Sequence, residues 1–379
     1  MRIAFISTIL GYPWGGADAL WTASAEAAAR EGHQLLMALA PKTARHHRIR
    51  ALIARGAAIR HRRRHADTGS RRWRVLQTML QLVGRPSLVR RVQQFDPATV
   101  CLCQGGTADF LVEPDLVAWL KRAQVPYVIL CQANRDDSKF SPDDLRAGRD
   151  ILSEAKAVVF VSRHNRVLAE RQFGISLPHA VEIQNPPPLR DWPELAWPPA
   201  SPIKLATVSR LESTAKGLDL IIPALAASLG HQSDWQLDLY GEGPDKEKLQ
   251  QLAAAHGISD HIHFRGFVAD IGTIWQDHHM LLLPSRFEGC SIAMMEAALC
   301  GRPVLATPVG GVDEWIVDGE TGFVAKDISQ AALVDALRRA WLARADWAQM
   351  GSAAKQRAHQ LLDPQSGDKL LNVITGAVI

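Results

Sequence analysis

The sequence predicts an α/β protein built from two doubly wound, Rossmann-like domains facing each other across a cleft. Three observations lead there. The chain has 379 residues, of which 47% are apolar and 22% charged, more than one hydrophobic core usually serves. Short β-branched runs alternate with longer segments of helical period, first in the N-terminal half and again in the C-terminal half. Between the halves, NPPPLRDWPELAWPPASP (185–202) carries seven prolines in eighteen residues, which rules out a helix interior or a central strand.

In chain order, the first strands are RIAFIS (2–7), HQLLMALA (33–40), ATVCLC (98–103), PYVILC (126–131) and AVVFVS (157–162). Helical stretches such as ADALWTASAEAAAREG (17–32) lie between them. This βαβ rhythm implies a mostly parallel sheet covered on both faces. After the prolines it restarts with IKLATVS (203–209), WQLDLYG (235–241), HIHFRGF (261–267), HMLLLPS (279–285), RPVLATP (302–308) and GFVAK (322–326). The expected division is 1–188 for the N-terminal domain, 189–202 for a linker and 203–362 for the C-terminal domain. The segment 363–379 is expected to pack back on the N-terminal domain. Sheets of this kind place ligands at the carboxyl ends of their strands.

Composition narrows the class. Cys101, Cys103, Cys131, Cys290 and Cys300 are odd in number and show no spacing of a zinc site, which fits packing roles in a reducing cytosol. The N-terminus reads as a first strand rather than a signal peptide, because its apolar stretch is short and ends in Pro13 and Gly15-Gly16. No run of about 18 apolar residues is present, so no membrane span is expected. A cytoplasmic location follows. The net charge of +4 is unevenly spread: between Lys42 and Arg74 twelve basic residues face one acid, Asp67. Such a run is either a solvated face or, over 45–65, a basic interfacial segment with Ile49, Leu52, Ile53, Ala57 and Ile59 as its apolar patches, docking the protein peripherally on an anionic membrane. Nucleic acid is a poorer partner, since Trp73 is the sole stacking aromatic in the run.

The chemistry concentrates in EGCSIAMMEAALCGRP (288–303). A surface loop and a solvated helix face are the plain readings of Glu288 and Glu296. However, Glu288 follows a strand directly, and SIAMMEAALC is a run of helix formers stopped by Gly301 and Pro303. The amides of Gly289, Cys290, Ser291 and Ile292 then stand at a helix start, where the positive end of the dipole receives anions. A diphosphate there would lie between Glu288 and Glu296, which sits roughly 7 Å along the axis at about 1.5 Å per residue. Carboxylates are poor phosphate ligands but good acceptors for sugar and ribose hydroxyls.

The stretch SRFEGCSIAMMEAALCGRPVLATPVGGVDEWIVDGETGFV is similar to the donor-binding signature of the retaining family 4 glycosyltransferases of the GT-B fold, with Glu288 and Glu296 as its paired glutamates. The resemblance implies that Glu288 contacts the transferred sugar and Glu296 the ribose of a nucleotide sugar. It extends to VSRLESTAKGLDLII (208–222), where it implies that Arg210 and Lys216 hold the donor diphosphate, and to YGEGPDKEKL (240–249). In HFRGFV (263–268), Gly266 and Phe267 match the segment that meets the base, and Gly15-Gly16 match a ligand-facing loop. Elementary chemistry agrees. Cleaving a glycosyl phosphate builds negative charge on the leaving diphosphate, and two cations with helix amides are preorganised countercharge. The sequence contains no D-x-D, so no metal or other cofactor is expected.

Two departures stand out. The strand ending at Cys131 runs into CQANRDD, where many members of the family have a histidine, so Gln132 and Asn134 become the polar acceptor-side candidates. Cys290 and Ser291 replace the Gly- or Leu-Pro common after the first glutamate, a change that backbone recognition tolerates. The expected function is a retaining, metal-independent transfer of a hexosyl group from a nucleotide sugar to a glycan, lipid-linked or small-molecule acceptor. A sugar-nucleotide epimerase shares the fold and is the rival enzyme. A dinucleotide site is disfavoured, because Pro244 follows Gly241-Glu242-Gly243 and the third glycine of that fingerprint is missing.

Overall fold

The computed structural model describes residues 1–9, 14–62, 88–187, 192, 194–230 and 234–377. Arg63, Arg64, Arg71, Arg72, Trp73 and Arg74 of the basic run lie outside the described residues. The chain forms two compact units, 1–186 together with 365–379, and 187–364.

The first unit is built on a parallel sheet of β1 (Arg2–Ser7), β2 (Gln34–Leu39), β3 (Ala58–His61), β4 (Thr99–Gly106), β5 (Tyr127–Ala133), β6 (Ala157–Phe160) and β7 (Ala180–Glu182). The spatial order is β3-β2-β1-β4-β5-β6-β7. The central strands are buried almost from end to end, which is why they read as continuous apolar runs. β3 and β7 escaped the sequence reading because they are short edge strands with little burial. The helix Ser366–Thr375 packs on the helix Ala19–Arg30 and buries Leu370, Leu371 and Ile374. The chain end is thus part of the first core, fastened by Arg30 to Asp368 at 2.8 Å and by Lys156 Nζ to the Ile374 carbonyl at 3.0 Å.

The second unit repeats the plan with β8 (Ile203–Val208), β9 (Trp235–Tyr240), β10 (Ile262–Gly266), β11 (Met280–Leu283), β12 (Val304–Ala306) and β13 (Gly322–Val324). Their order is β10-β9-β8-β11-β12-β13, all parallel. The strand order reverses between β8 and β11, the switch point at which sheets of this kind receive ligands beside the carboxyl ends of their strands. The proline-rich stretch is no free tether. Residues from Pro187 onward go with the second unit, where buried Arg302 donates to the Ala196 carbonyl at 2.7 Å and lies over the Trp197 ring.

The basic segment 45–65 also departs from expectation. As far as Arg62 it forms a helix, His47–Ala54, followed by edge strand β3, and not every apolar residue of the expected patches faces outward. Ile49 and Leu52 are turned into the core at 0% and 1% exposure, because the sheet needs an apolar cover more than the solvent tolerates one. Arg62 is buried as well, its guanidinium bonded to the Ser7 carbonyl and to Glu113. Lys42, Arg45, Arg50, Arg55 and Arg60 stay exposed, so the described part of this face offers charge without apolar side chains from Ile49 or Leu52.

Candidate functional site

The loops after β8 and β11 build the site. β8 ends at Val208, and Arg210 follows in a turn that leads to the single helical turn Ser213–Lys216. Gly217 (φ +60°) reverses the chain into the helix Leu218–Ser228. A side chain at Gly217 would collide with the Pro284 carbonyl, since a Cβ there would come within 1.9 Å of its oxygen. The Lys216 turn therefore lies directly on the loop leaving β11.

That loop carries Glu288. Its Oε1 accepts from Lys216 Nζ at 2.5 Å and from Ser285 Oγ at 2.8 Å. Ser285 is itself held, its carbonyl accepting from Thr307 Oγ1 at 2.5 Å at the end of β12. The backbone of Glu288 and Gly289 is backed by Gly310 (φ +58°), where any Cβ would meet the Gly289 oxygen at 2.1 Å. The pair Gly310-Gly311 is a supporting turn for the glutamate loop. Gly241 and Gly243 play the same part under Ser209 and Leu211, and Asp245 accepts from the Ser213 amide at 2.8 Å.

The helix Ile292–Leu299 starts four residues beyond Glu288. Ser291 caps it, accepting from the Met294 amide at 3.4 Å, while helix geometry leaves the Ile292 and Ala293 amides without an intrahelical acceptor. Gly289 and Cys290 belong to the turn before the cap, and Cys290 is buried with its thiol pushed up by that burial. Its contribution to a ligand would come from the backbone. Glu296 sits in the second turn, 5% exposed. Burial pushes its carboxyl up to about 8, and no hydrogen bond or ion pair to a described residue opposes that. A buried acid without donors is a costly thing to keep in a core unless a ligand supplies them.

The remaining sequence candidates fall at strand ends. Arg210 lies beyond β8, with Glu212 3.9 Å away. Gly266 ends β10, and Phe267 after it is 76% exposed, an unusual display for a large aromatic. Arg210, Lys216, Glu288, Glu296, Gly266 and Phe267 thus all belong to the carboxyl side of one sheet. Gly15, Gly16, Gln132 and Asn134 belong to the other unit. Gly15 caps the short helix Gly16–Asp18, its amide donating to buried Asp18, whose carboxyl burial raises to about 6. Gln132 and Asn134 close β5, and Gln132 Nε2 and Asn134 Nδ2 are buried donors without a partner among the described residues.

Sequence reasoning passed over Ser285, Arg286, Asp219 and Asp245. Arg286 and Asp219 stand inside the quoted motifs, two residues before Glu288 and three after Lys216. Their pairing, 2.6 and 2.8 Å across a bidentate fork, becomes visible only when the two loops are brought together.

The titration of Glu296 has a measurable consequence. Folding raises its pKa from 4.5 to about 8, so between these values the native chain holds a proton that the unfolded chain has lost. Stability of the ligand-free protein should therefore fall as pH climbs from about 4.5 to about 8 and flatten above it. Glu296→Gln should remove that component of the slope and leave the variant more stable than the parent at pH 8, by up to a few kcal/mol in urea titrations across the range.

Comparison with known proteins bears on the fold and on the C-terminal unit. Residues 197–357 match the family of glycosyl transferases group 1. Among curated relatives, the chain is 30% identical over 213 residues to a GDP-mannose-dependent alpha-(1-6)-phosphatidylinositol monomannoside mannosyltransferase of Mycolicibacterium smegmatis, covering 50% of this chain and 54% of that one. It is 32% identical over 126 residues to the alpha-D-kanosaminyltransferase of Streptomyces kanamyceticus, covering 33% of each. The matches therefore span about half of the one relative and a third of the other. Among solved structures, Anabaena HepE in complex with UDP and glucose superposes with a TM-score of 0.73 at 19% identity over the whole of both chains. The sucrose-phosphate synthase of Thermosynechococcus elongatus does so at 0.71 and 18%, again over both whole chains. The chain has the GT-B fold, and within it residues 197–357 of the C-terminal unit are similar to the glycosyl transferases group 1.

Proposed function

We propose that the protein is a retaining glycosyltransferase that moves a hexosyl group from a nucleoside-diphosphate sugar to a glycan, lipid-linked or small-molecule acceptor without a metal ion. The observation that carries this reading is the contact of Lys216 with Glu288 across the β8/β11 switch point, beside a helix start whose second turn buries Glu296. The relatives' names, two sugar transferases, and a fold neighbour solved with UDP and glucose support it.

In this reading the donor diphosphate lies against the Ile292 and Ala293 amides with Arg210 and Lys216 as countercharge. The ribose hydroxyls donate to Glu296, supplying the hydrogen bonds that its burial lacks. Glu288 accepts from a hydroxyl of the transferred sugar. Charge that grows on the leaving diphosphate meets cations and amides already in place, so little reorganisation is needed at the moment of bond breaking. Attack by the acceptor on the face that the diphosphate leaves gives retention. The acceptor is read as held by the N-terminal unit through Gln132 and Asn134, whose unpartnered amides suit the oxygens of a hydroxylated acceptor.

Three outcomes test the reading. Glu296→Ala should weaken a nucleoside diphosphate and the intact donor alike in calorimetry, whereas Glu288→Ala should abolish turnover and keep the diphosphate bound. Equal losses for the diphosphate would contradict the assignment of one glutamate to each end. Lys216→Ala should raise the barrier by roughly 2 to 4 kcal/mol, as removal of a preorganised charge does, and transfer should survive chelation. A divalent-ion requirement restored by magnesium or manganese would overturn the metal-free mechanism. Finally, the exposed cations Lys42, Arg45, Arg50, Arg55 and Arg60 suit an anionic acceptor surface through charge alone. Cosedimentation with anionic vesicles should fade between low and high salt, and should weaken when Arg50, Arg55 and Arg60 are changed to Gln. Equal recovery on neutral vesicles would point to a soluble acceptor.

A further inference from the structure

Lys216 and Glu288 reach their contact from different strands, and whereas the Glu288 loop is held by Ser285 and Gly310, the Lys216 turn is too short to aim its own side chain. The Lys216 turn is only four residues long, Ser213–Lys216, and one isolated helical turn does not hold its own geometry. Lysine adds a flexible stem of four carbons, so its charge is placed only as well as the backbone beneath it. Arg286 supplies what is missing. Its backbone amide donates to the Ala215 carbonyl at 2.8 Å, and its Nη1 donates to the Ser213 carbonyl at 2.6 Å. Its fork then closes on Asp219, Nη1 to Oδ1 at 2.6 Å and Nη2 to Oδ2 at 2.8 Å. One residue of the glutamate loop therefore grips the Lys216 turn at its first residue, at its third and, through Asp219, beyond its end.

We propose that Arg286, locked by Asp219, is the positioning residue of the donor site. It sets the Lys216 ammonium against Glu288 and so fixes the distance between the cation at the diphosphate and the carboxylate at the sugar. The inference rests on the proposed function and adds to it a residue pair that touches neither donor nor acceptor. Arg286 is spent on Ser213 and Asp219 and acts through Lys216. A planar, bidentate fork transmits orientation as well as charge, which an ammonium at the same position could not do. The side chains of Arg286 and Asp219 are 32% and 41% exposed, outside either hydrophobic core, so their loss is expected to act on the loops rather than on global folding. That separates a positioning role from a structural one.

The experiment first identifies a working donor by thermal stabilisation of the parent protein across UDP- and GDP-sugars. It then measures kcat, donor KM and the thermal unfolding midpoint for Arg286→Ala, Arg286→Lys, Asp219→Ala, Asp219→Glu and the double alanine variant. The alanine variants should lose about ten- to a hundredfold in kcat, the cost of a misplaced group near the chemistry, with the unfolding midpoint close to the parent's. Arg286→Lys should fall nearly as far, Asp219→Glu should recover part of the rate, and the double variant should be no worse than the worse single one. Arg286→Ala with kcat within twofold of the parent overturns the proposal, as does a loss of rate matched by a comparable loss of folded stability. Should no nucleotide sugar stabilise the parent, the donor reading fails and the inference with it.

Discussion

The contact between the Lys216 ammonium and the Glu288 carboxylate is the interaction on which the rest of the site depends. It joins the loop after β8 to the loop after β11, the two strands between which the order of the second sheet reverses. Everything around it keeps those loops in register. Gly217 lets one backbone lie on the other, Ser285 and Thr307 steady the carboxylate from β12, and Gly310 supports the turn from behind. The absence of side chains at Gly217 and Gly310 is as necessary here as the charges, because a Cβ at either position would drive the loops apart.

Energetically the site is divided. Lys216 and Glu288 are paired with each other, at side-chain exposures of 19% and 11%. Glu296 has no such partner among the described residues, and its burial favours the protonated acid. A ligand bearing paired hydroxyls would reverse that, exchanging the desolvation of a lone carboxylate for charge-assisted hydrogen bonds. The helix amides and the two cations offer a counterpart for phosphate charge between the glutamates. In the proposed donor site, ribose binding falls to Glu296 in the helix and the chemistry to Lys216 and Glu288 in the loops before it.

The sequence made much of this legible, for physical reasons. Parallel strands buried on both faces must be apolar throughout, so β1, β2, β4 and β5 announced themselves, whereas β3 lay hidden in an arginine run and β7 in a three-residue edge. Glu288 and Glu296 stood out as carboxylates on either side of a helix start, whereas Arg210 and Lys216 were singled out only through the family resemblance. Arg62 was not, since its burial depends on Glu113, 51 residues away. Ile49 and Leu52 suggested apolar patches of an interfacial segment because composition reports apolar residues among arginines without saying what covers them. Arg286 and Asp219 were in plain view, but their pairing spans 67 residues and two strands. The proline-rich stretch likewise reads as a tether until Arg302 and Trp197 are seen to fasten it.

The most direct measurement of the central claim is a crystal structure of the protein soaked with a nucleoside diphosphate that stabilises it. The account predicts phosphate oxygens at hydrogen-bond distance from the Ile292 or Ala293 amide and from Lys216 or Arg210, with both ribose hydroxyls on the Glu296 carboxylate. A diphosphate seated elsewhere, or a ribose turned away from Glu296 with that carboxylate still unpartnered, would contradict it.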